Sequence, residues 1–212
     1  LLVLRQGQLV AEGTPSEVIT PSLLARVFGL EAWVRVNPVT GRPHVLPRTR
    51  QHVEAGAGSG RRVHVVCGGG TGAAWIGALA RAGWHVSVGV VHLLDSDEEV
   101  AQELSAEVIS EAPFTPISEE SLQLLRDALA KAEAIVVAPV AFGHGNLANL
   151  QAVVEAQGAG KRVLLADCDW PERDFTGGQA LQLIEQLQAN GAQQVATPEE
   201  AVARLGGEAP MA

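Results

Sequence analysis

The residues with the clearest chemical potential are a run of glycines. Cys67-Gly68-Gly69-Gly70-Thr71-Gly72-Ala73 follows an apolar stretch and opens a helical pattern. Gly68, Gly70 and Ala73 fit G-x-G-x-x-A, the spacing of a strand-to-helix turn that cradles phosphate. Glycine allows the tight turn and lets the backbone approach a ligand. The unpaired amides and positive dipole end of the following helix favour an anion. Gly68, Gly69, Gly70, Thr71 and Gly72 are therefore candidate contacts for a nucleotide or another phosphate-bearing ligand. Asp95 and Asp97 follow the second apolar run, about 20 residues on, where an acid meets a ribose hydroxyl in dinucleotide sites. Packing alone also demands small residues in a first strand–helix turn, so a purely structural turn stays open. No G-x-x-x-x-G-K-[ST] run occurs in the chain, and no Lys follows these glycines to reach a β- or γ-phosphate.

A second cluster is Gly143-His144-Gly145-Asn146. It lies where a fourth strand ends, beside the first strand in a doubly wound sheet, and so faces the glycine turn across the switch-point crevice. His144 offers an anion contact or acid–base group, or is a solvated loop histidine. Asn146 offers a ligand contact or a plain helix cap. His92 reads as a core or rim histidine. Asp167 and Asp169 flank Cys168 at a strand exit, where solvation and capping compete with metal binding. Cys67 and Cys168 read as reduced thiols rather than a disulfide or metal pair. No nucleophile–base–orienter set can be assembled, and no metal site is expected.

The elements that position these residues alternate strongly. From Arg62, apolar runs at Val63–Cys67, His85–Leu93, Ala106–Ile109, Ala134–Val140, Arg162–Ala166 and Gln193–Ala196 alternate with helical patterns. Helices are predicted over Thr71–Ala82, from a Ser96 cap to Leu104, from a Ser118 cap to Lys131, over Asn146–Gln157, within Phe175–Asn190, and from Thr197-Pro198 onward. The fold class is α/β: a Rossmann-like, doubly wound, mostly parallel sheet of about six strands. Before it, Leu1–Leu4 and Gln8–Glu12 flank a glycine turn as a hairpin. Two Thr-Pro starts then open short helices, and Glu31–Val36 and His44–Leu46 read as strands. The expected organisation is a hairpin/helix remnant at 1–47, a Gly-rich linker at 48–61, the Rossmann-like unit at 62–205 and a disordered tail at 206–212.

Composition narrows the partners. The net charge of −9 disfavours nucleic acid or an anionic membrane surface, since both reward Lys and Arg. With 47 % apolar and 18 % charged residues the chain resembles an ordinary globular protein, and no apolar run reaches the ~20 residues of a membrane span.

The N-terminal segment carries a resemblance. Leu2-Val3-Leu4-Arg5-Gln6-Gly7-Gln8-Leu9-Val10-Ala11-Glu12-Gly13-Thr14-Pro15-Ser16-Glu17-Val18 is similar to the C-terminal end of ABC-transporter ATP-binding proteins. Leu23-Leu24-Ala25-Arg26-Val27-Phe28-Gly29 and Asn37-Pro38-Val39-Thr40-Gly41 resemble the subfamily of importers for iron–siderophores, haem and vitamin B12. The likeness covers residues 1–47. It implies that the Walker motifs, the signature motif and the bound ATP and Mg belong to a catalytic half upstream of Leu1, so no catalytic residue is carried over. It also implies transporter membrane subunits as partners, with a homodimer allowed, and a cytoplasmic location peripheral to the membrane. The resulting expectation is a C-terminal regulatory, ligand-sensing region for a small anionic ligand, not itself ATP-hydrolysing and without a certain cofactor. The rivals are a dinucleotide-dependent oxidoreductase and a structural dimerisation or docking module.

Overall fold

The computed structural model describes residues 1–30, 32–37, 41–47, 60–113 and 115–206. The chain divides into two compact units, Leu1–His52 and Val53–Ala212. Residues 48–59 of the expected linker, 207–212 of the expected tail and 38–40 of the expected turn lie outside the described residues.

In the first unit, β1 (Leu2–Arg5) pairs antiparallel with β2 (Gln8–Glu12). Gln6 and Gly7 make the turn with φ of 50° and 77°, the left-handed pair that matches the twist of a tight hairpin. Helix α1 (Pro15–Val18) starts at Thr14, whose amide and hydroxyl both donate to the Glu17 carboxylate at 2.9 and 2.8 Å. Thr20 caps α2 (Pro21–Leu23), which continues as a wider π turn over Leu24–Phe28 and stops at Gly29 in the left-handed region. Strands β3 (Ala32–Val36) and β4 (Pro43–Pro47) form a second antiparallel pair. Val3, Val18 and Leu23 make the small core.

The second unit carries β5 (Arg62–Val66), α3 (Ala73–Arg81), β6 (His85–His92), α4 (Ser96–Glu103), β7 (Glu107–Glu111) and α5 (Glu119–Lys131). It continues with β8 (Ala134–Val137), α6 (Leu147–Gly158), β9 (Arg162–Ala166), α7 (Gln179–Ala189), β10 (Gln193–Val195) and α8 (Pro198–Arg204). The sheet order is β10-β9-β8-β5-β6-β7, and every neighbouring pair is parallel. Helix α3 packs on α4 and α8, and α6 packs on α5 and α7, so the sheet is covered on two faces. That covering is why Val63, Val65, Val66, Ile135, Val136 and Val137 are all fully buried rather than alternating in and out.

The strand order reverses between β5 and β8, so the loops leaving their C-terminal ends diverge and open a crevice. Element ends differ from the sequence expectation in ways that matter there. Helix α3 begins at Ala73 because Gly72, not Thr71, is its N-cap. Strand β8 ends at Val137 because Pro139 lacks a ladder donor. Asp95, not Ser96, caps α4: its carboxylate accepts from the Asp97 amide at 2.8 Å.

Candidate functional site

The crevice holds a cavity of about 180 Å³ at the C-terminal ends of β5, β6 and β8. Its floor and turn side are Cys67, Gly68 and Gly69. Val90, Val91, His92 and Asp95 line it from β6 and the following loop. Val140, Gly145 and Asn146 face them from the loop between β8 and α6. Of the residues singled out from the sequence, Gly68, Gly69, Asp95, Gly145 and Asn146 therefore meet around one space. Gly70, Thr71, Gly72, Gly143 and His144 belong to the same two loops but do not line it.

The glycine turn is held from inside. Its backbone needs the left-handed region at Gly69 and Gly70, with φ of 65° and 82°. The Thr71 hydroxyl donates to the Gly68 carbonyl at 2.9 Å. The Gly69 amide donates to Asp95 Oδ2 at 2.8 Å, and the Gly72 amide donates to both carboxylate oxygens of Asp97 at 3.0 Å. Two amides that the sequence pattern offers to an external anion thus already face carboxylates of the chain itself. Asp95, expected to meet a ribose, spans the turn and the start of α4 instead.

Asp97 is completely buried at the N-terminus of α3. Burial pushes its carboxyl above the usual range, Asp95 adds to the rise, and hydrogen bonds from the Gly72 and Ala73 amides and from Cys67 oppose it. Burial likewise raises the Cys67 thiol well above its ordinary value, with the Asp97 charge the next cause. The thiol is thus a neutral donor to a neighbouring carboxylate, not a nucleophile. The contact is tight: a Cβ on Gly72 would lie 2.5 Å from both Cβ and Sγ of Cys67.

The opposite wall is equally fixed. Asn146 sits at the N-cap position of α6, yet its side chain serves the loop, accepting from the Gly143 amide at 2.8 Å and donating to the Ala141 carbonyl at 3.0 Å. The loop after β9 braces this wall. The Phe142 amide donates to the Arg173 carbonyl, Arg173 donates to the Pro139 carbonyl, and Trp170 stacks on Phe142 with 6.3 Å between ring centroids.

Two buried residues that sequence patterns did not single out complete the frame. Asn149, on the inner face of α6, donates to the Val90 carbonyl at 2.9 Å and accepts from the Val90 amide at 3.0 Å. It replaces the strand partner that β6 lacks at its register shift between Val88 and Val91. An Asn among apolar helix positions Leu147, Leu150 and Val153 is the signal that could have found it. His64 is fully buried within β5, with Nδ1 2.9 Å from the Ser87 hydroxyl and Nε2 3.1 Å from the Gly89 carbonyl. Burial pulls its pKa down to about 4, so it is neutral at pH 7. Among the described residues no cluster of three or more His, Cys, Asp or Glu side chains could hold a metal ion, and no helix is long and apolar enough to cross a membrane. Cys67 and Cys168 are free thiols.

Fold and site together define a doubly wound α/β module with a cavity at its topological switch point. The chain belongs to the MJ0874 family, whose model matches residues 86–202. It is also similar to ATP-binding proteins of ABC importers. The cobalamin import ATP-binding protein BtuD of Halobacterium salinarum is 31 % identical over 141 residues, 66 % of this chain and 35 % of that protein. The ferric enterobactin transport ATP-binding protein FepC of Escherichia coli is 42 % identical over 50 residues, 24 % of this chain and 18 % of that protein. The hemin import ATP-binding protein HmuV of Rhodopseudomonas palustris is 52 % identical over 48 residues, 23 % of this chain and 18 % of that protein. The chain therefore spans about a third of the length of the BtuD relative.

Proposed function

We propose that the chain is the C-terminal, ligand-sensing region of an ABC importer's ATP-binding protein, serving a metal-chelate cargo such as an iron–siderophore, haem or cobalamin. In this reading the first unit is the tail of the ATPase domain. The second is an accessory module that reports on a small molecule and biases transport. This reading assigns ATP hydrolysis to no residue of the chain, in which no Walker A run occurs. Contact with the membrane subunits and a peripheral cytoplasmic location follow from the same assignment. The resemblance of residues 1–47 and the names of the relatives support the transporter part.

The observation that carries the sensing part is the cavity where the loops after β5 and β8 meet. Sensing is favoured over dinucleotide-dependent redox chemistry because the Gly69 and Gly72 amides, which a pyrophosphate would use, are already paired with Asp95 and Asp97. Gly68 supplies a test. Its φ is not left-handed, and a Cβ there meets Val140 at 3.6 Å and Asp95 at 3.8 Å, ordinary contacts. Gly68→Val should fold and fill the mouth of the cavity. Thermal-shift and calorimetric titration of the intact chain with ATP, NAD, flavin, haemin and cobalamin should find one ligand that stabilises the native protein and loses at least ~10-fold in affinity in Gly68→Val. Equal binding by both proteins would move the site elsewhere; no binding by either would refute the sensing role.

A further inference from the structure

We infer that the switch-point cavity selects an uncharged or cationic group that donates hydrogen bonds, and rejects phosphate, with Asp95 as the residue that sets this preference. The inference rests on the sensing reading of the same cavity and adds the chemical class of its ligand.

Asp95 lines the cavity with its carboxylate already oriented. Oδ2 accepts from the Gly69 amide at 2.8 Å and Oδ1 from the Asp97 amide at 2.8 Å. Each carboxylate oxygen has a second lone pair, so the group retains acceptor capacity after both bonds are made. Two backbone donors on two different elements also fix its direction without help from a ligand. A donor entering the cavity therefore meets a preorganised acceptor. An anion meets the reverse. The Gly69 amide it would need is occupied, and Asp97 holds the amide at Gly72. Among the described residues no Lys or Arg lines the cavity to offset two carboxylates at the turn, and His92 is the one basic side chain there. Repulsion between like charges a few ångströms apart at a protein surface is enough to decide between otherwise equal ligands.

Shape limits the group further. Beside Asp95 the walls Val90, Ile117 and Val140 are apolar. A ring or short arm bearing an amide, amidine or amine fits this description.

The test uses four probes that separate charge from shape: benzamidine, benzamide, benzoate and inorganic phosphate. The intact chain and Asp95→Asn are titrated with each, and the backbone amide signals of Gly69, Gly145 and Val91 are followed by NMR. Asn is as good a helix cap as Asp, so the variant keeps the α4 cap through Oδ1 while losing the charge and, at Nδ2, the acceptor of the Gly69 amide. In the native chain benzamidine and benzamide should perturb these amides at least ~10-fold more tightly than benzoate or phosphate. In Asp95→Asn benzamidine should weaken, benzoate should gain, and their ratio should shift by at least ~10-fold. Native binding of benzoate or phosphate as tight as benzamide, or an unchanged ratio in the variant, would overturn the inference while leaving the cavity a site. Silence of all three amides toward all four probes in both proteins would instead overturn the sensing reading beneath it.

Discussion

Asp97 is the carboxylate on which the site's geometry depends, and replacing it gives a quantitative test. In Asp97→Ala the Gly72 amide, held at 3.0 Å by both carboxylate oxygens, loses its acceptor in a buried position, and Cys67 loses the partner of its thiol. A hydrogen bond to a charged group contributes about 1.5–3 kcal/mol, and an orphaned buried donor costs about 1–3 kcal/mol. The two overlap rather than add. They are also offset by relief of the cost of burying a charge, which is what pushes the Asp97 carboxyl upward. A net loss of about 2 kcal/mol follows, which lowers Tm by roughly 6 °C in a domain of this size. Asp97→Asn keeps the volume and one acceptor and should lose about 1 kcal/mol at neutral pH. The pH dependence has a definite sign. An acid whose folded pKa is raised contributes stability that is complete below the unfolded value of 3.8 and is lost as pH rises through the folded value. The native chain should therefore lose ground to Asp97→Asn as pH climbs from 3.8 toward neutrality. Thermal unfolding followed by far-ultraviolet circular dichroism and tryptophan fluorescence measures both effects. An Asp97→Ala loss below about 1 kcal/mol would show that this carboxylate does not hold the turn.

Three further outcomes follow from the same frame. Gly72→Ala places a Cβ 2.5 Å from Cys67 Cβ and Sγ, so it should destabilise by about 2–3 kcal/mol in chemical denaturation; adding Cys67→Ala should not rescue it, because the Cβ clash persists. His64, with a folded pKa of about 4 against 6.5, contributes stability present above 6.5 and lost as pH falls toward 4, about 3 kcal/mol in all. His64→Gln should flatten that part of the stability profile, and an identical profile would place the titration elsewhere. Asn149→Leu leaves the Val90 amide and carbonyl unpaired and should cost about 2–4 kcal/mol, while weakening any ligand of the cavity that Val90 lines.

Much of the fold was legible because its signals are local. Buried parallel strands read as apolar runs at Val63–Cys67 and Ala134–Val140, and Thr20, Ser118 and Thr197 each cap the helix they precede. What could not be read is where a side chain points once the strands are assembled. The sequence places Asp95 and Asp97 after the second strand, and the parallel pairing of β5 with β6 brings them to the glycine turn. Their commitment to the Gly69 and Gly72 amides then depends on the tight packing of Cys67 against Gly72, which no spacing rule contains. Asn149 was hidden for a related reason. Its role exists only because β6 loses its regular pairing near Val90, a feature of register rather than of pattern.

The glycine turn shows why a motif and its chemistry separate. G-x-G-x-x-A describes a backbone that can expose amides, and the helix dipole behind it attracts negative charge whatever its source. In a dinucleotide site the source is a pyrophosphate. Here Asp95 and Asp97 supply it covalently, on the next loop of the same sheet, at no cost in ligand-binding entropy. The consequence reverses the electrostatics of the crevice: a turn built to attract anions becomes, once satisfied internally, a surface that presents carboxylate lone pairs to whatever enters. Charge-neutralising Asp95 while retaining its cap should restore the attraction the bare pattern implies. That single substitution therefore reports whether the turn's preference resides in its backbone or in the acid that fills it.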